Sequence, residues 1–445
     1  MNILFVSLGC DKNLVDSEMM LGELTLAGHT IVNEEAQADA VIVNTCCFIL
    51  DAKEESINTL LEYAEMKQQG EIRALIATGC LAQRYAKEIH EEIPEVDAVV
   101  GTAGFDRIVS VLENVESGAP EDVLGDIHGP AICGKKRLLT TGGHYAYLKI
   151  AEGCDKRCTY CIIPSIRGSF RSVPMETLLE EATSLAEGGV KELILVAQET
   201  TVYGTDLYGR KALPELLEKL CRIEELSWIR LLYCYPEEID EDLIAVMKKE
   251  PKICHYLDIP VQHADDYILQ RMGRRTNRAD LERIIATLRK EIPDICLRTT
   301  LITGFPGEEQ QHFDSLKEFV EKMRFERLGV FAYSPEEDTV AAAMPCQVED
   351  EVKEDRRDEI MSLQQTIAFG KAEEMVGKTI PVLVEGRLVE DGVLIGRSYM
   401  DAPGVDGYVF IRTDRDIESG RIVSVVIEAS NEYDLIGGLE DEFTE

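Results

Sequence analysis

The chain has 445 residues, enough for two to four domains, and a hydrophobic content of 45% that can supply their cores. Its 46 Lys/Arg and 83 Asp/Glu give a formal net charge of −37, which repels phosphate backbones and favours basic partners, although such charge also serves solubility alone. Thirteen cysteines scattered over a long chain argue against a disulfide framework and favour thiolates used on metal in a reducing compartment.

The first residues, MNILFVSLGCDKN, predict a buried strand rather than a targeting segment. No basic region precedes the apolar run, so we expect no signal peptide. No apolar stretch of the sequence approaches the length of a membrane span. We therefore expect a cytoplasmic protein without a membrane partner.

Residues 1–125 predict a flavodoxin-like parallel α/β domain. Apolar runs typical of strands alternate with helical patterns, with strands at 3–7, 40–43 and 74–77 and helices at 14–27 and 52–67. The strands lead to Cys10, Cys46 and Cys80. Because parallel strands present their carboxyl ends at one edge of a sheet, these cysteines should converge there. We interpret them as ligands of an iron–sulfur cluster with one open iron; the alternative is that they are small buried core residues.

A glycine-rich, polar stretch at residues 126–142 predicts a linker, and residues 143–372 predict a second α/β domain. Strand patterns alternate with helical patterns, with strands at 145–150, 192–197, 229–233, 256–259, 297–302 and 327–332 and helices at 176–187, 213–225, 241–249, 280–291 and 311–323. Six such units without a reversed strand predict an open (βα)6 partial TIM barrel. Catalytic groups of such a barrel lie at the carboxyl ends of its strands.

Three cysteines follow the first strand of this barrel in the string GCDKRCTYCIIP, namely Cys154, Cys158 and Cys161. Three thiolates at this spacing suit a four-iron, four-sulfur (4Fe-4S) cluster with one iron left open for the amino and carboxyl groups of S-adenosylmethionine (SAM). Tyr160 is an aromatic side chain that could lie against the adenine. The alternative is a structural zinc site, but no second cysteine or histidine pair follows within ~20 residues.

Polar residues at the other strand ends are candidate contacts to cofactor or substrate. We predict that Gln198, Glu199 and Thr303 bind SAM. His263 either touches substrate or is a core histidine. Four arginines stand together in this acidic chain and either form a solvated helix end or hold a carboxylate: Arg271, Arg274, Arg275 and Arg278.

Residues 373–445 predict a small OB-like β-barrel after a charged helix at 352–376. The predicted strands are 379–385, 392–397, 407–411 and 422–428. Residues 374–445 carry six Lys/Arg and sixteen Asp/Glu, a net charge of −10 that argues against direct nucleic-acid binding. We expect its acids to face a basic partner, including Asp401, Asp406, Asp414 and Asp416.

Seven strings spread over the chain match one family: VSLGCDKNLVDSE at 6–18, VIVNTC at 41–46, ATGCLAQRY at 77–85, GCDKRCTYCIIPSIRG at 153–168, YLDIPVQH at 256–263, FAYSPEEDT at 331–339 and IGRSYMDAPGVDG at 395–407. The chain resembles the radical-SAM methylthiotransferases, which have an N-terminal cluster domain, a central radical-SAM barrel and a C-terminal TRAM barrel. Within them it is similar to the RimO group, which modifies an aspartate of small-subunit ribosomal protein number twelve.

The resemblance implies two 4Fe-4S clusters, SAM as cofactor and a low-potential electron donor. The cluster on Cys154, Cys158 and Cys161 would cleave SAM to remove a hydrogen from the β-carbon of the aspartate. The cluster on the three N-terminal cysteines would supply the methylthio group. The chain departs from the family pattern at four positions, where proline, glycine, aspartate and glutamate, respectively, are more usual: Asp11, Cys47, Glu199 and Gly404.

Three functions are consistent with the sequence. The first is methylthiolation of a basic ribosomal protein, which the acidic surface favours. The second is methylthiolation of tRNA adenosine, as in MiaB-like enzymes, which would need a basic barrel. The third is a non-catalytic iron–sulfur scaffold or electron carrier, which would not need an open iron.

Overall fold

The computed structural model describes residues 1–388 and 392–442, and its first layer is a six-stranded sheet. The strands are all parallel, in the order β2-β1-β3-β4-β5-β6. Their bounds are β1 Asn2–Ser7, β2 Thr30–Val32, β3 Ala40–Thr45, β4 Ala74–Gly79, β5 Ala98–Ala103 and β6 Val123–Gly125. The helices that flank them are α1 Asp11–Leu26, α2 Leu50–Gln68, α3 Cys80–Arg84, α4 Ala86–Glu92 and α5 Ile108–Glu116.

The parallel α/β prediction for the N-terminal region is confirmed, and the strand order contains the flavodoxin order 2-1-3-4-5. β3 and β4 are buried along their whole length, as expected for parallel strands covered on both faces. The sequence patterns identified β1, β3 and β4 but missed the three outer strands. Two of those have only three residues, which is too short for a periodic signal.

A second parallel sheet of six strands forms the centre of the molecule, in the order β14-β13-β12-β11-β10-β7. The strands are β7 Tyr145–Lys149, β10 Glu192–Val196, β11 Trp228–Leu231, β12 Ile253–Asp258, β13 Cys296–Thr303 and β14 Arg327–Ala332. A small antiparallel pair lies beside the cysteine loop, β8 Ala151–Glu152 and β9 Arg171–Ser172. The six predicted strands are thus confirmed, in sequential order and with one open edge at each end.

Helices cover one face of this sheet. Their bounds are α6 Ile163–Arg167, α7 Met175–Glu187, α8 Thr205–Tyr208, α9 Leu213–Leu220, α10 Glu241–Lys249, α11 Asp266–Arg271, α12 Arg278–Glu291, α13 Gln310–Met323 and α14 Asp350–Glu373. Alternate strand residues such as Leu193, Leu195 and Leu231 pack against them in the largest core cluster. Within the described part of the chain, none of the helices has the length and apolar character needed to cross a membrane.

The C-terminal region forms a closed barrel, as predicted, but its described strands number five rather than four. They are β15 Thr379–Leu388, β16 Val393–Ser398, β17 Val409–Arg412, β18 Ile422–Asn431 and β19 Asp434–Leu439. The prediction missed β19, because its sequence DLIGGL contains two glycines that weaken the strand signal. The predicted end of this domain at residue 445, and the acids Glu390, Asp391 and Glu445, lie outside the described residues.

The barrel packs against the face of the central sheet that the helices leave open. Apolar residues of β10 to β12, such as Ile194 and Tyr256, share a core cluster with Val382 and Leu394 of the barrel. The contact also carries buried ion pairs, in which Arg230 and Arg397 both meet Glu192 at 2.7 Å. The barrel is therefore fixed to the sheet by apolar and charged contacts together.

Two acids that were expected to face a partner are buried in this contact instead. Asp401 pairs with Arg327 of β14 and accepts a hydrogen bond from Ser398, and it is 1% exposed. Asp406 accepts a hydrogen bond of 2.8 Å from Tyr256. Their charges hold the barrel on the sheet, so the prediction that they face a partner was wrong for both.

The predicted linker at residues 126–142 is bound to the first layer, because Arg137 and Thr140 form hydrogen bonds with Glu18 of α1.

Candidate functional site

The three N-terminal cysteines meet at the carboxyl edge of the first sheet, as the strand pattern predicted. Cys10 precedes α1, Cys46 directly follows β3, and Cys80 is the first residue of α3 after β4. Gly9, with φ of +91°, allows the close approach: a Cβ atom there would lie 2.8 Å from the Cβ of Cys46. Ser56 of α2 fixes the backbone of Cys46 by bonding both its N–H and its carbonyl.

The thiols of this site influence each other electrostatically. Burial raises the pKa of Cys46 to about 12, and the neighbouring thiols of Cys80 and Cys10 add to the increase. Burial also raises the pKa of Cys80, against the guanidinium of Arg167. Such thiols ionise when a metal centre supplies positive charge, so the donor set fits a thiolate-bound cluster.

Cys47 sits differently from its neighbour. It is 0% exposed, against 7% for Cys46, and packs in an apolar cluster with Leu75, Leu81 and Cys80. Burial raises its pKa, with a further contribution from Cys80, while Arg84 lowers it. This environment suits a neutral core thiol.

The second group of cysteines lines a cavity of about 370 Å³. Cys154, Cys158 and Cys161 lie on the loop between β8 and α6, beyond the carboxyl end of β7, where a barrel carries its catalytic groups. The loop folds back sharply at Arg157, with φ of 55°, and at Gly153, with φ of 78°. The opposite rim of the cavity is formed by residues of the segment that follows β14, including Thr339 and Val340.

Burial raises the pKa of Cys154 to about 11 and that of Cys161 to about 12. Polar side chains also surround Cys158. The hydroxyl of Tyr235 lies 3.6 Å from its Sγ, and Nη1 of the buried Arg274 lies 3.9 Å from the same sulfur. The guanidinium of Arg274 also stacks over the ring of Tyr235 at 4.4 Å, so both stabilise negative charge at Cys158.

The four arginines of the sequence therefore do not form one patch. Arg274 points into the site, and Arg275 is exposed. Arg271 donates to the carbonyl of Pro306, and Arg278 binds Ser315 and two glutamates. The sequence suggested either a solvated helix end or a carboxylate-binding group, and neither interpretation predicts that Arg274 points into the cluster site. The sequence pattern alone could not distinguish Arg274 from the other three arginines.

In residues 1–388 and 392–442, no three Cys, His, Asp or Glu side chains are close enough together to hold a single metal ion. A cubane cluster binds each thiolate to a different iron, so its ligands do not converge on one point. Each cysteine group supplies three neighbouring thiolates. Three thiolates are the ligands of a four-iron cluster whose fourth iron is open.

The predicted SAM contacts differ in whether they have a hydrogen-bonding atom left for a ligand. Gln198 donates to Glu152 at 2.8 Å, and its own oxygen is buried without a hydrogen bond among the described residues. Glu199 accepts from Thr201, while its second oxygen is likewise buried and unbonded, 3.7 Å from Nζ of Lys156. Both can accept a hydrogen bond from a ligand.

Three other candidate side chains already have contacts within the protein. The hydroxyl of Thr303 donates to the carbonyl of Lys353 at 3.1 Å, which leaves only its lone pairs for a ligand. His263 is fully buried and lies 3.3 Å from Glu308, so the core interpretation of this histidine is the better one. Tyr160 packs edge-on against Phe305, with ring centroids 6.5 Å apart.

We predict a pH-dependent stability effect of Glu199. Burial raises the pKa of this carboxyl from 4.5 to about 7, so its ionisation costs stability as the pH rises through that interval. Glu199→Gln should stabilise the apoprotein, by about 2 kcal/mol more at pH 8 than at pH 5.5. Urea unfolding at the two pH values measures this difference, and an equal effect at both would contradict the buried-carboxyl explanation.

The segments that carry the two cysteine groups contact each other at the carboxyl edges of the two sheets. Tyr233, just after β11, donates to Asp11 beside Cys10 at 3.0 Å. Lys12 is buried, pairs with Asp11 and lies over the ring of Tyr233 at 3.2 Å. On the other side, Tyr85 of the first layer donates to Glu337 at 3.1 Å. The carboxyl edges of the two sheets thus lie against each other.

Three family models match consecutive parts of the chain. Residues 2–101 match the uncharacterized protein family UPF0004, residues 148–320 match the radical SAM superfamily, and residues 376–439 match the TRAM domain. The three segments correspond to the first sheet, the central sheet and the closed barrel.

Whole-chain relatives decide the family. A ribosomal protein uS12 methylthiotransferase RimO from Lachnoclostridium phytofermentans is 61% identical over 440 residues, which cover 99% of this chain and 100% of that protein. Proteins of the same name from Thermoanaerobacter sp. and Clostridioides difficile are 48% and 47% identical, each over 98% of this chain and 99% and 98% of their own length. The chain belongs to the RimO family.

Solved structures share the fold at much lower identity. The radical SAM methyltransferase TsrM from Kitasatospora setae matches with a TM-score of 0.55 and 12% identity, over 84% of this chain and 78% of TsrM. The cobalamin-dependent radical enzyme OxsB matches with a TM-score of 0.54 and 12% identity, over 82% of this chain and 56% of OxsB. At these identities the likeness concerns the fold alone.

RimO-family membership confirms the predicted enzyme class, a radical SAM methylthiotransferase with SAM and 4Fe-4S clusters as cofactors. The assignment of individual cysteines and SAM contacts stays a prediction. It rests on the geometry of the two cysteine groups described above.

Proposed function

We propose that this protein transfers a methylthio group to the β-carbon of an aspartate in ribosomal protein uS12, the small-subunit protein number twelve. The observation that carries the proposal is the pair of three-cysteine groups, one at the carboxyl edge of each parallel sheet, in two layers that contact each other at those edges. Two clusters with open irons allow one to cleave SAM and the other to hold sulfur. A carrier of electrons would need neither open iron.

Cys154, Cys158 and Cys161 would hold the SAM-binding cluster, which when bound supplies the electron for SAM cleavage and hence the radical chemistry that an unactivated C–H bond requires. Arg274 and Tyr235 offset negative charge at Cys158. SAM carries an ammonium group that donates hydrogen bonds, and the buried unbonded oxygens of Gln198 and Glu199 are acceptors suited to it. A low-potential electron donor is the remaining partner.

The acidic surface supports a protein substrate. Ribosomal proteins are basic, and the net charge of −37 steers such a partner towards the enzyme while it opposes tRNA. Asp414, Asp416 and Glu418 are exposed on the barrel, on the connection from β17 to β18. The relatives cited above carry the name of the uS12 enzyme, which agrees with this choice.

Mass spectrometry of uS12 and of tRNA, each incubated with the reconstituted enzyme, SAM and reductant, tests the proposal. We expect a methylthio group on one uS12 aspartate and none on tRNA adenosine. Methylthioadenosine with unmodified uS12 would instead identify the tRNA enzyme. SAM that is neither bound nor cleaved would identify a scaffold or carrier.

Charge reversal on the barrel tests the electrostatic part. Asp414→Lys, Asp416→Lys and Glu418→Lys together change the charge by +6 without touching the buried contact with the sheet. We expect slower turnover of uS12 at low salt, by about tenfold, because association loses its electrostatic steering. SAM cleavage without substrate is the internal control and should not change. The same turnover at low and high salt in both proteins would exclude a role for these acids.

A further inference from the structure

Arg167 belongs to the central domain but extends to a cysteine of the first layer. It is the last residue of α6, six positions after Cys161, and its side chain is 2% exposed. Its Nη2 donates to Sγ of Cys80 at 3.4 Å and to the side-chain oxygen of Asn13 at 2.9 Å. A residue of the helix that follows one cysteine loop thus contacts a proposed ligand of the other cluster.

The remaining contacts of this guanidinium fix its direction. Nη1 donates to Asp16 at 2.8 Å and to Glu152 at 3.1 Å. Lys149 binds the same two carboxylates from the other side. The two carboxylates balance the charges of Arg167 and Lys149. A thiolate at Cys80 would add one more negative charge, and Nη2 of Arg167 is the group of this network that contacts it.

The network also reaches the SAM side of the enzyme. Glu152 accepts a hydrogen bond from Gln198, one of the two predicted SAM contacts with a buried oxygen that has no hydrogen bond among the described residues. Arg167, Lys149, Asp16 and Glu152 are buried at the contact between the two sheets, where low dielectric strengthens their interactions. The guanidinium therefore cannot turn to solvent without breaking several charged hydrogen bonds.

We propose that Arg167 is a positioning residue that raises the reduction potential of the N-terminal cluster through its hydrogen bond and charge at the Cys80 sulfur. Hydrogen bonds to cluster sulfurs and nearby positive charge stabilise the reduced, more negative state. The inference rests on the proposed assignment of Cys80 as a ligand. It concerns the cluster that would hold sulfur, and it places the control of that cluster on the helix that follows the SAM-binding cysteines.

An EPR-monitored redox titration of the full chain tests this inference without SAM or uS12. The background carries Cys154→Ala, Cys158→Ala and Cys161→Ala, so that the N-terminal cluster alone gives the signal. Arg167→Gln should lower the midpoint potential by at least the equivalent of a tenfold change in the reduction equilibrium, about 59 mV for one electron.

Lys149→Gln is the matched control. Lys149 also carries a positive charge and binds the same two carboxylates, but it makes no contact with Cys80 among the described residues. We expect less than half of the shift there. Equal shifts in the two variants, or no shift in Arg167→Gln, would overturn the inference. If Arg167→Gln loses its iron, Arg167→Lys is titrated instead, and an intermediate shift supports the proposal. Loss of iron from both arginine variants, with iron retained in Lys149→Gln, would assign Arg167 a purely structural role.

The same experiment separates this inference from the proposed function. The potential of the N-terminal cluster does not depend on which substrate the enzyme modifies. Failure of uS12 modification would therefore leave the titration result intact, and an unchanged potential would leave the substrate assignment intact.

Discussion

Replacement of Cys154, Cys158 and Cys161 together by alanine will abolish SAM cleavage and leave about four of the about eight irons per chain of the reconstituted protein. The three thiolates are the only donors proposed for that cluster, and they lie on one loop around one cavity. The N-terminal cysteines belong to other elements, so their cluster should still assemble. Iron analysis after anaerobic reconstitution, with assay of 5′-deoxyadenosine, measures both effects.

A second triple variant serves as the control for this experiment. Cys133, Cys221 and Cys346 are free cysteines that are not fully buried and belong to neither group. Their joint replacement by alanine should keep about eight irons and full SAM cleavage. A wild-type protein that never exceeds about four irons would eliminate one of the two clusters, and the triple variant of the loop then shows which one remains.

The sequence was sufficient for the positions of both cysteine groups. A buried parallel strand has a strong apolar pattern, and its carboxyl end is a defined point in the fold, so Cys46 and Cys80 could be placed from β3 and β4 alone. The cysteine loop after β7 followed from its spacing. These predictions depend on local structure plus one rule of topology.

Contacts between the layers were beyond the sequence. Asp401 looked like a surface acid, since most acids are exposed, yet its partner Arg327 lies 74 residues away on another sheet. The contact of Arg167 with Cys80 spans 87 residues and needs both layers in place. In the sequence, Arg274 could not be distinguished from three neighbouring arginines, and only the folded structure shows that it points inward. Single-chain patterns carry no information on which long-range ion pairs form.

Cys46 and Cys47 provide the sharpest test of the N-terminal cluster, because the two residues are adjacent and chemically identical. Ser56 holds the backbone of Cys46 at the site, and Gly9 leaves room beside its Sγ atom. Cys46→Ala should reduce the iron content to about four and abolish transfer of the methylthio group. SAM cleavage without substrate should continue, since the loop cluster is intact.

Cys47→Ala should keep about eight irons and normal transfer, at a cost of about 1 kcal/mol in stability for the lost buried sulfur. Its thiol is 0% exposed and packs among apolar side chains, whereas Cys46 and Cys80 each stay 7% exposed. If iron and transfer were instead lost with Cys47→Ala and kept with Cys46→Ala, Cys47 would be the ligand. Cys47 packs in the same cluster as Cys80, so both neighbours are close to the edge of the sheet, and the two variants decide which of them holds the iron.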